Sequence, residues 1–181
     1  MEAIAEQNTD LATMLDGAGG LVSTEDSAQF LTFFLAGEEY GIDILKVREI
    51  KGWTPVTRVP NTPDYVQGVL NLRGTIVPII DMRRRFNLEE EEYTKITVVI
   101  VVMIQDGDRQ RVVGIVVDAV SDVLNTQAKD IKPAPDFGTA VHTEFISGLA
   151  ATDDSMVMLL DIDRLLTAEE VAKLNQLADE E

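Results

Sequence analysis

Short apolar runs separated by turn residues dominate the chain from about residue 29 onward. The clearest pair lies at residues 66–81, where two β-branched runs flank the sequence Asn-Leu-Arg-Gly. Runs of this length and composition, with a glycine between them, predict two strands and a tight turn. Because neither run alternates between apolar and polar positions, we expect each strand to be covered on both faces. Arg73 would then be a permanent cation at the bend of an apolar hairpin.

Three further hairpins follow from the same pattern of apolar runs and turn residues. They pair residues 30–35 with 39–42, 96–104 with 111–117, and 145–150 with 156–160. The turns between them are Gly-Glu at residues 37–38, Asp-Gly-Asp at 106–108 and Thr-Asp-Asp at 152–154, and Gly and Asp favour tight turns. A short strand is also predicted at residues 56–59, and a strand or bend at residues 118–124.

Helices are predicted at three places, all short or terminal. Asp43 can cap a helix over residues 44–50, whose apolar residues Ile44, Val47 and Ile50 have the spacing of one helical face. A short basic helix is expected at residues 82–86. The sequence Thr-Ala-Glu-Glu at residues 167–170 is a capping box that opens a final amphipathic helix.

These elements predict a mainly β fold in three parts. Residues 1–28 are interpreted as a flexible acidic tail, residues 29–165 as the main domain, and residues 166–181 as a C-terminal helix with an acidic end. Short strands with frequent turns favour barrels or sandwiches, and we expect two small β-barrels packed side by side. The four glutamates at residues 89–92 suggest the boundary between sub-barrels at about 29–88, with a contribution from the C-terminal segment, and about 93–160.

Charge narrows the range of partners. The formal net charge is −17, from 32 acidic and 15 basic residues, and such a chain repels nucleic-acid phosphates and anionic lipid headgroups. The consecutive residues Arg83, Arg84 and Arg85 are interpreted as the solvated end of a short helix, favoured over a binding patch. The longest apolar run is too short to span a bilayer and the amino terminus resembles no signal peptide, so a cytoplasmic protein is expected.

The usual ingredients of catalysis are sparse in this sequence. There are no cysteines, and the sole histidine, His142, falls in a predicted loop where a surface role is favoured. The glycine-rich stretch at residues 17–20 follows no strand and precedes no lysine, so it is not a phosphate loop. We therefore expect no enzyme activity, cofactor or metal. The alternatives kept open are an RNA-binding module and an enzyme that uses carboxylates brought together from distant positions.

Binding is the remaining class of function, and a groove between two barrels would suit an amphipathic partner helix. Glu49 and Arg73 could orient such a helix, while Val47, Ile50 and Val98 could supply contact area. The alternative for the aliphatic residues is an ordinary place in the core. The alternative for Arg73 is an internal salt bridge to Glu49.

At this point the residues carry a family resemblance that covers the chain from Phe30 to about Leu174. The matching segments are EEYGIDILKVREI, VTRVPNTPDYVQGVLNLRGTIVPIIDMRRRF, RVVGIVVDAVSDVL, IKPAPDF and LLTAEE. In this order they resemble the CheW family, the coupling proteins of bacterial chemotaxis. The resemblance implies two five-stranded SH3-like barrels around a third, shared core, and no enzymatic activity.

The resemblance also implies partners and the residues that contact them. CheW-like proteins bind the regulatory domain of the histidine kinase CheA and the cytoplasmic tips of chemoreceptors, and they join rings that can include other CheW copies at membrane-associated arrays. Carried over by motif, the receptor groove would involve Val47, Glu49, Ile50, Arg73, Val98, Val120 and Val123. The kinase contact would involve Lys132, Asp136 and Phe137.

Overall fold

A computed structural model describes residues 27–134, 145–153, 155–166 and 170. Most of the predicted acidic tail, His142 and most of the predicted C-terminal helix lie outside these residues. Within them the chain is mainly β, as the sequence predicts. In chain order the elements are β1 (Ser27–Leu35), β2 (Glu38–Asp43), β3 (Val47–Gly52), β4 (Val66–Leu72), β5 (Thr75–Asp81), α1 (Met82–Arg85), β6 (Val98–Asp106), β7 (Arg109–Val117), β8 (Ala119–Gln127), β9 (Ile131–Lys132), β10 (Ile146–Ala151) and β11 (Met156–Leu160), with 3-10 turns at Ile44–Lys46, Ala128–Asp130 and Ile162–Arg164.

The described strands form two sheets. The first sheet has six strands in the order β8-β1-β2-β11-β10-β9, and the second has five in the order β3-β6-β7-β5-β4. Each contains one parallel pairing, β2 with β11 in the first sheet and β5 with β7 in the second. The second sheet is one continuous stretch of chain, inserted between strands of the first. The predicted boundary near residues 89–92 therefore falls within the second sheet, between β5 and β6, and does not separate the two sheets.

The second sheet curls until its two edges approach each other. After β3 leaves one edge, Thr57 and Val69 of β4 exchange two backbone hydrogen bonds of 3.0 and 2.8 Å. Gly68 permits this approach, because a Cβ at that position would lie 2.2 Å from the carbonyl oxygen of Thr57. The predicted strand at residues 56–59 is wrong in extent, since the chain there forms only this isolated bridge.

Three apolar clusters hold the described residues together, in keeping with the shared core that the resemblance implies. The largest joins residues of both sheets, including Phe33, Ile42, Ile100, Ile115 and Leu160. A second cluster lies within the curl of the second sheet, and a third lies against the first sheet. Residues 77–81 of β5 are buried without a break, which confirms that this strand is covered on both faces. The SH3-like description of the two sheets stays a prediction.

The helix predicted over residues 44–50 is wrong beyond its first turn. Asp43 does cap a helical turn, its carboxylate accepting a hydrogen bond of 2.9 Å from the Leu45 amide, but that turn is the 3-10 segment Ile44–Lys46. Val47–Gly52 instead pairs with β6 as an antiparallel strand. The β-branched residues of this segment fit a pleated surface better than a helix, and the partner strand decides between the two.

The arginine triplet is also placed differently from the prediction of a solvated helix end. Arg83 is 7% exposed. Its Nε donates to Asp118 Oδ1 at 2.7 Å, and its Nη1 donates to the carbonyl of Glu89 at 2.7 Å. The glutamate run folds back onto α1, with Glu90 on Arg84 at 3.1 Å and Glu91 on Arg83 at 3.3 Å. Acidic and basic runs that look like separate solvated segments in the sequence therefore neutralise each other.

Asp118 makes this arginine a tie between the two sheets. Its carboxylate accepts hydrogen bonds from Arg83, which follows β5 of the second sheet, and from the amide of Ala36, in the turn after β1 of the first sheet. Partial burial alone would raise the pKa of Asp118, but these hydrogen bonds and the guanidinium charge outweigh it and lower the pKa below its ordinary value. The carboxylate is therefore ionised at neutral pH and holds both sheets.

Candidate partner-binding surface

The hairpin of β4 and β5 ends in a two-residue turn. Leu72 pairs with Thr75, so Arg73 and Gly74 form the bend, with φ angles of 51° and 91°. Two positive φ angles define the primed turn that matches the twist of a hairpin, for which Asn-Gly is the preferred sequence. Arg73 therefore occupies a left-handed position that a residue with a long side chain rarely adopts.

Arg73 points into solvent and crosses the mouth of the curled sheet. Its side chain is 79% exposed, and its Nη2 lies 3.0 Å from Oε1 of Glu49. Glu49 belongs to β3, at the opposite edge of the second sheet from the hairpin, and the curl brings the two edges within reach. The salt bridge that was the alternative role for Arg73 is present, and the Arg73 side chain is nevertheless accessible to a partner. An exposed ion pair of this kind contributes little to stability.

A groove of about 540 Å³ lies beside this ion pair. Its floor includes Val77 and Val101, which are almost fully buried, and its rim carries Arg48, Glu49 and Arg73. Leu72, Met103 and Val112 complete its apolar lining. An apolar floor with charges of both signs at the rim can accept an apolar side chain and fix its orientation by charge.

The predicted aliphatic contacts lie on the other face of the second sheet or on the first sheet. Val47, Val98 and Val120 are half-buried against the shared core. Ile50 and Val123 are 44% and 40% exposed. Each sits opposite a core residue in its strand pair, Ile100 for Ile50 and Leu31 for Val123, so both extend the same apolar surface outward. We call these five residues the apolar rim.

The structure thus divides the predicted receptor residues into two groups. Glu49 and Arg73 come together at the groove, because Glu49 shares its face of the ladder with Val101. The apolar rim belongs to the margins of the shared core. Of the predicted kinase contacts, Lys132 is exposed on β9, while Asp136 and Phe137 lie outside the described residues.

Sequence reasoning missed three features of this surface. Leu45 is 87% exposed on the 3-10 turn before β3, whereas the predicted helix would have packed it beside an apolar face. Arg48 of β3 lines the groove, although no sequence motif marked it as a contact residue. Asn71 bonds the turn itself, since its Oδ1 accepts from the Gly74 amide at 2.8 Å. The Asn-x-x-Gly spacing was the available signal for this bond.

A second cavity, of about 240 Å³, is where an enzyme that uses carboxylates from distant positions could have its site. Asp81, Glu91, Glu92 and Asp118 line it, and all of them except Glu92 are engaged internally. Asp81 caps α1 and accepts a hydrogen bond of 2.5 Å from the hydroxyl of Tyr93. Burial, followed by this hydrogen bond, raises the pKa of Tyr93. With Asp81, Glu91 and Asp118 committed to the fold, Glu92 is left without a second free carboxylate, among the described residues that line this cavity, to form an acid–base pair.

Neither a metal site nor a membrane span was found in the described part of the chain. No group of three or more potential ligands among those residues could hold a metal ion. Likewise, no helix there has the length and apolar character that crossing a bilayer requires.

Two sheets around a shared core, with an exposed groove that has charged residues at its rim, are typical of a protein that works through its surfaces. Residues 29–170 match the family model of the CheW-like domain. The chain therefore belongs to the CheW-like family, as the sequence motifs indicate.

Named relatives agree with this assignment. Chemotaxis protein CheW of Klebsiella aerogenes is 51% identical over 168 residues, covering 93% of this chain and 96% of that protein. Chemotaxis protein CheW of Rhizobium meliloti is 38% identical, covering 81% and 92%. The crystal structure of the scaffolding protein TtCheW from Thermoanaerobacter tengcongensis matches with a TM-score of 0.70 at 34% identity, covering 79% of this chain and 96% of that one. The first two names place these relatives in chemotaxis, and the third describes a scaffolding protein.

Proposed function

We propose that this protein is a non-enzymatic adaptor that couples chemoreceptors to the histidine kinase CheA in cytoplasmic signalling arrays. It binds the hairpin tip of a receptor with one surface and the regulatory domain of the kinase with another, and it joins rings with the kinase and with other copies of itself. Family membership and the names of the relatives support the chemotaxis role. The groove and its charged rim support the receptor contact.

Transmission in this proposal is mechanical and electrostatic. A scaffold that holds two partners in fixed geometry lets a shift at the receptor tip change the equilibrium of the kinase. The shared core and the Arg83–Asp118 pair join the two sheets, which suits a scaffold of fixed geometry. No covalent step is required of the adaptor itself.

One observation carries the receptor assignment. Arg73 is held in a strained left-handed turn, fully charged and 79% exposed, above an apolar groove. Such strain costs free energy and clusters at functional sites, and Asn or Gly would fit the turn better. The guanidinium edge beyond its contact with Glu49 is positioned to meet a carboxylate on a receptor helix.

Arg73→Asp tests the receptor contact. We expect the fold to survive, because the side chain is exposed, and the affinity for a chemoreceptor signalling fragment to fall by about tenfold or more. Titration calorimetry measures the affinity and circular dichroism checks the fold. Arg109→Asp makes the same charge change at the exposed first residue of β7 and should leave binding within about twofold. Equal affinities for both variants would remove Arg73 from the receptor site.

Phe137→Ser tests the kinase contact. Phe137 lies outside the described residues, and its assignment rests on the IKPAPDF segment of the family. An apolar anchor flanked by Pro135 and Gly138 suits an interface, so the substitution should weaken co-assembly with CheA more than receptor binding. Pull-down of each partner separately measures the two effects. Greater loss of receptor binding would place Phe137 at the other surface.

A further inference from the structure

Asn71 belongs to the Asn-Leu-Arg-Gly motif, yet it is not a residue of the apolar rim and does not line the groove beside the Arg73–Glu49 pair. Its side chain is exposed at the end of β4, and its Oδ1 accepts a hydrogen bond of 2.8 Å from the amide of Gly74. The bond spans the residue whose conformation is strained, because Arg73 lies between its two ends. Asn71 thus closes a second, side-chain ring around the left-handed turn.

This bond matters for Arg73 because of the geometry of the turn. In left-handed backbone, φ 51° for Arg73, the direction of the Cα–Cβ bond differs from that of an ordinary strand residue. Relaxing that φ to a negative value would swing the guanidinium away from Glu49, which lies across the groove at 3.0 Å. The carboxamide of Asn71 opposes this relaxation, since the Gly74 amide would lose its partner.

We infer that Asn71 is a positioning residue for the partner contact: its side-chain bond to the Gly74 amide holds the left-handed turn that presents Arg73 at the groove. The inference rests on the proposed receptor function of Arg73. It assigns Asn71 no contact with the partner.

The first test needs no partner. In the native protein, the ¹⁵N relaxation of the Arg73 Nε–H group should be that of an ordered side chain. In Asn71→Ala, the relaxation of the same group should be that of a freely moving side chain. Asn71→Asp keeps the acceptor oxygen and should restore the order. Gln105→Ala is the matched control, because the side-chain amide of Gln105 donates to the Gly107 carbonyl at 2.7 Å in the hairpin turn of β6 with β7. Unchanged relaxation in Asn71→Ala would overturn the inference.

The second test measures affinity for a chemoreceptor signalling fragment. Asn71→Ala should weaken binding about fivefold, which corresponds to the loss of one hydrogen bond's effect. The double variant Asn71→Ala, Arg73→Ala should bind no more weakly than Arg73→Ala alone, because both changes remove the same contact. Additive losses would show that Asn71 acts independently, which contradicts a positioning role.

The two tests separate failure of the inference from failure of the receptor assignment. If Arg73→Ala leaves receptor affinity unchanged while Asn71→Ala still disorders the Arg73 side chain, the positioning survives and the receptor assignment fails. If Arg73→Ala weakens binding while Asn71→Ala changes neither relaxation nor affinity, the receptor assignment survives and the inference fails.

Discussion

Two arginines of this protein each pair with a carboxylate from a distant part of the chain, but in opposite surroundings. Arg83 is 7% exposed and ties α1 to Asp118 between the two sheets. Arg73 has a side chain 79% exposed and reaches Glu49 across the mouth of one sheet. Removing a partner from a buried pair leaves an uncompensated charge, whereas water replaces the partner of an exposed one. An arginine–carboxylate pair therefore stabilises the fold at Arg83, whereas the exposed arginine of the pair at Arg73 is proposed to bind a partner.

The backbone at the two positions supports the same contrast. Arg83 lies in an unstrained helical turn whose cap, Asp81, accepts hydrogen bonds from the amides of Arg83 and Arg84. Arg73 lies at positive φ, where its conformation itself opposes folding. Ala36, at φ 52°, adopts the same conformation in the turn between β1 and β2, so the feature that sets Arg73 apart is its exposed charge beside the groove.

The largest effect is expected from breaking the buried pair. Arg83→Met should lower the free energy of unfolding by about 2–3 kcal/mol, the lower end for a buried pair because Asp118 is partly accessible to water. Urea denaturation measures the loss. Replacing both partners, as Arg83→Met with Asp118→Leu, should cost less than Arg83→Met alone.

Arg164→Met is the matched control for that experiment. Arg164 pairs with Asp161 at 3.4 Å on the surface, with a side chain 72% exposed. Its loss should cost less than about 1 kcal/mol. Equal losses for Arg83→Met and Arg164→Met would show that the tie between the sheets does not stabilise the fold.

Acid should weaken the same tie. The pKa of Asp118 is lowered in the folded protein, so its contribution is fully present above the ordinary value of 3.8 and is lost as the pH falls through the lower, folded pKa. Between about pH 5 and pH 2 the native protein should therefore lose more stability than Asp118→Asn. Urea denaturation across this range measures both slopes, and parallel slopes would contradict the assignment.

The smallest effect should come from relieving the strain at Arg73. Arg73→Asn creates the Asn-Gly sequence that primed turns favour and should raise the unfolding free energy by about 0.5 kcal/mol, net of the lost exposed ion pair. Arg73→Ala keeps the backbone strain and loses the ion pair, so it should lower the unfolding free energy by a few tenths of a kcal/mol. Shifts of the denaturation midpoint in opposite directions for the two variants would sharpen the contrast between Arg73 and Arg83. A loss of stability in both variants would contradict it.

The local parts of this structure could be predicted from the sequence. Turn residues placed the hairpins of β1 with β2, β4 with β5, β6 with β7, and β10 with β11, because glycine and aspartate act within a few residues of chain. Strand ends moved by a few residues, as in β6, which begins at Val98.

The distant parts could not be predicted in the same way. Nothing in the local sequence distinguishes Arg83, which is buried, from Arg85 two residues later. Arg83 is buried because Asp118, which follows β7, approaches it and pairs with it. The spacing of Ile44, Val47 and Ile50 also fits a helix, and pairing with β6 overrides it. The motif pointed to Arg73 and Glu49, but only the curl of the sheet shows that they meet across a groove.

The most direct measurement is the affinity of Arg73→Asn for a chemoreceptor signalling fragment, set beside its stability. If Arg73 is retained for the partner, this variant should be at least as stable as the native protein and bind about tenfold or more weakly, a difference of about 1.4 kcal/mol or more. Native affinity in a variant that is equally stable would show that the exposed arginine is not what the receptor recognises.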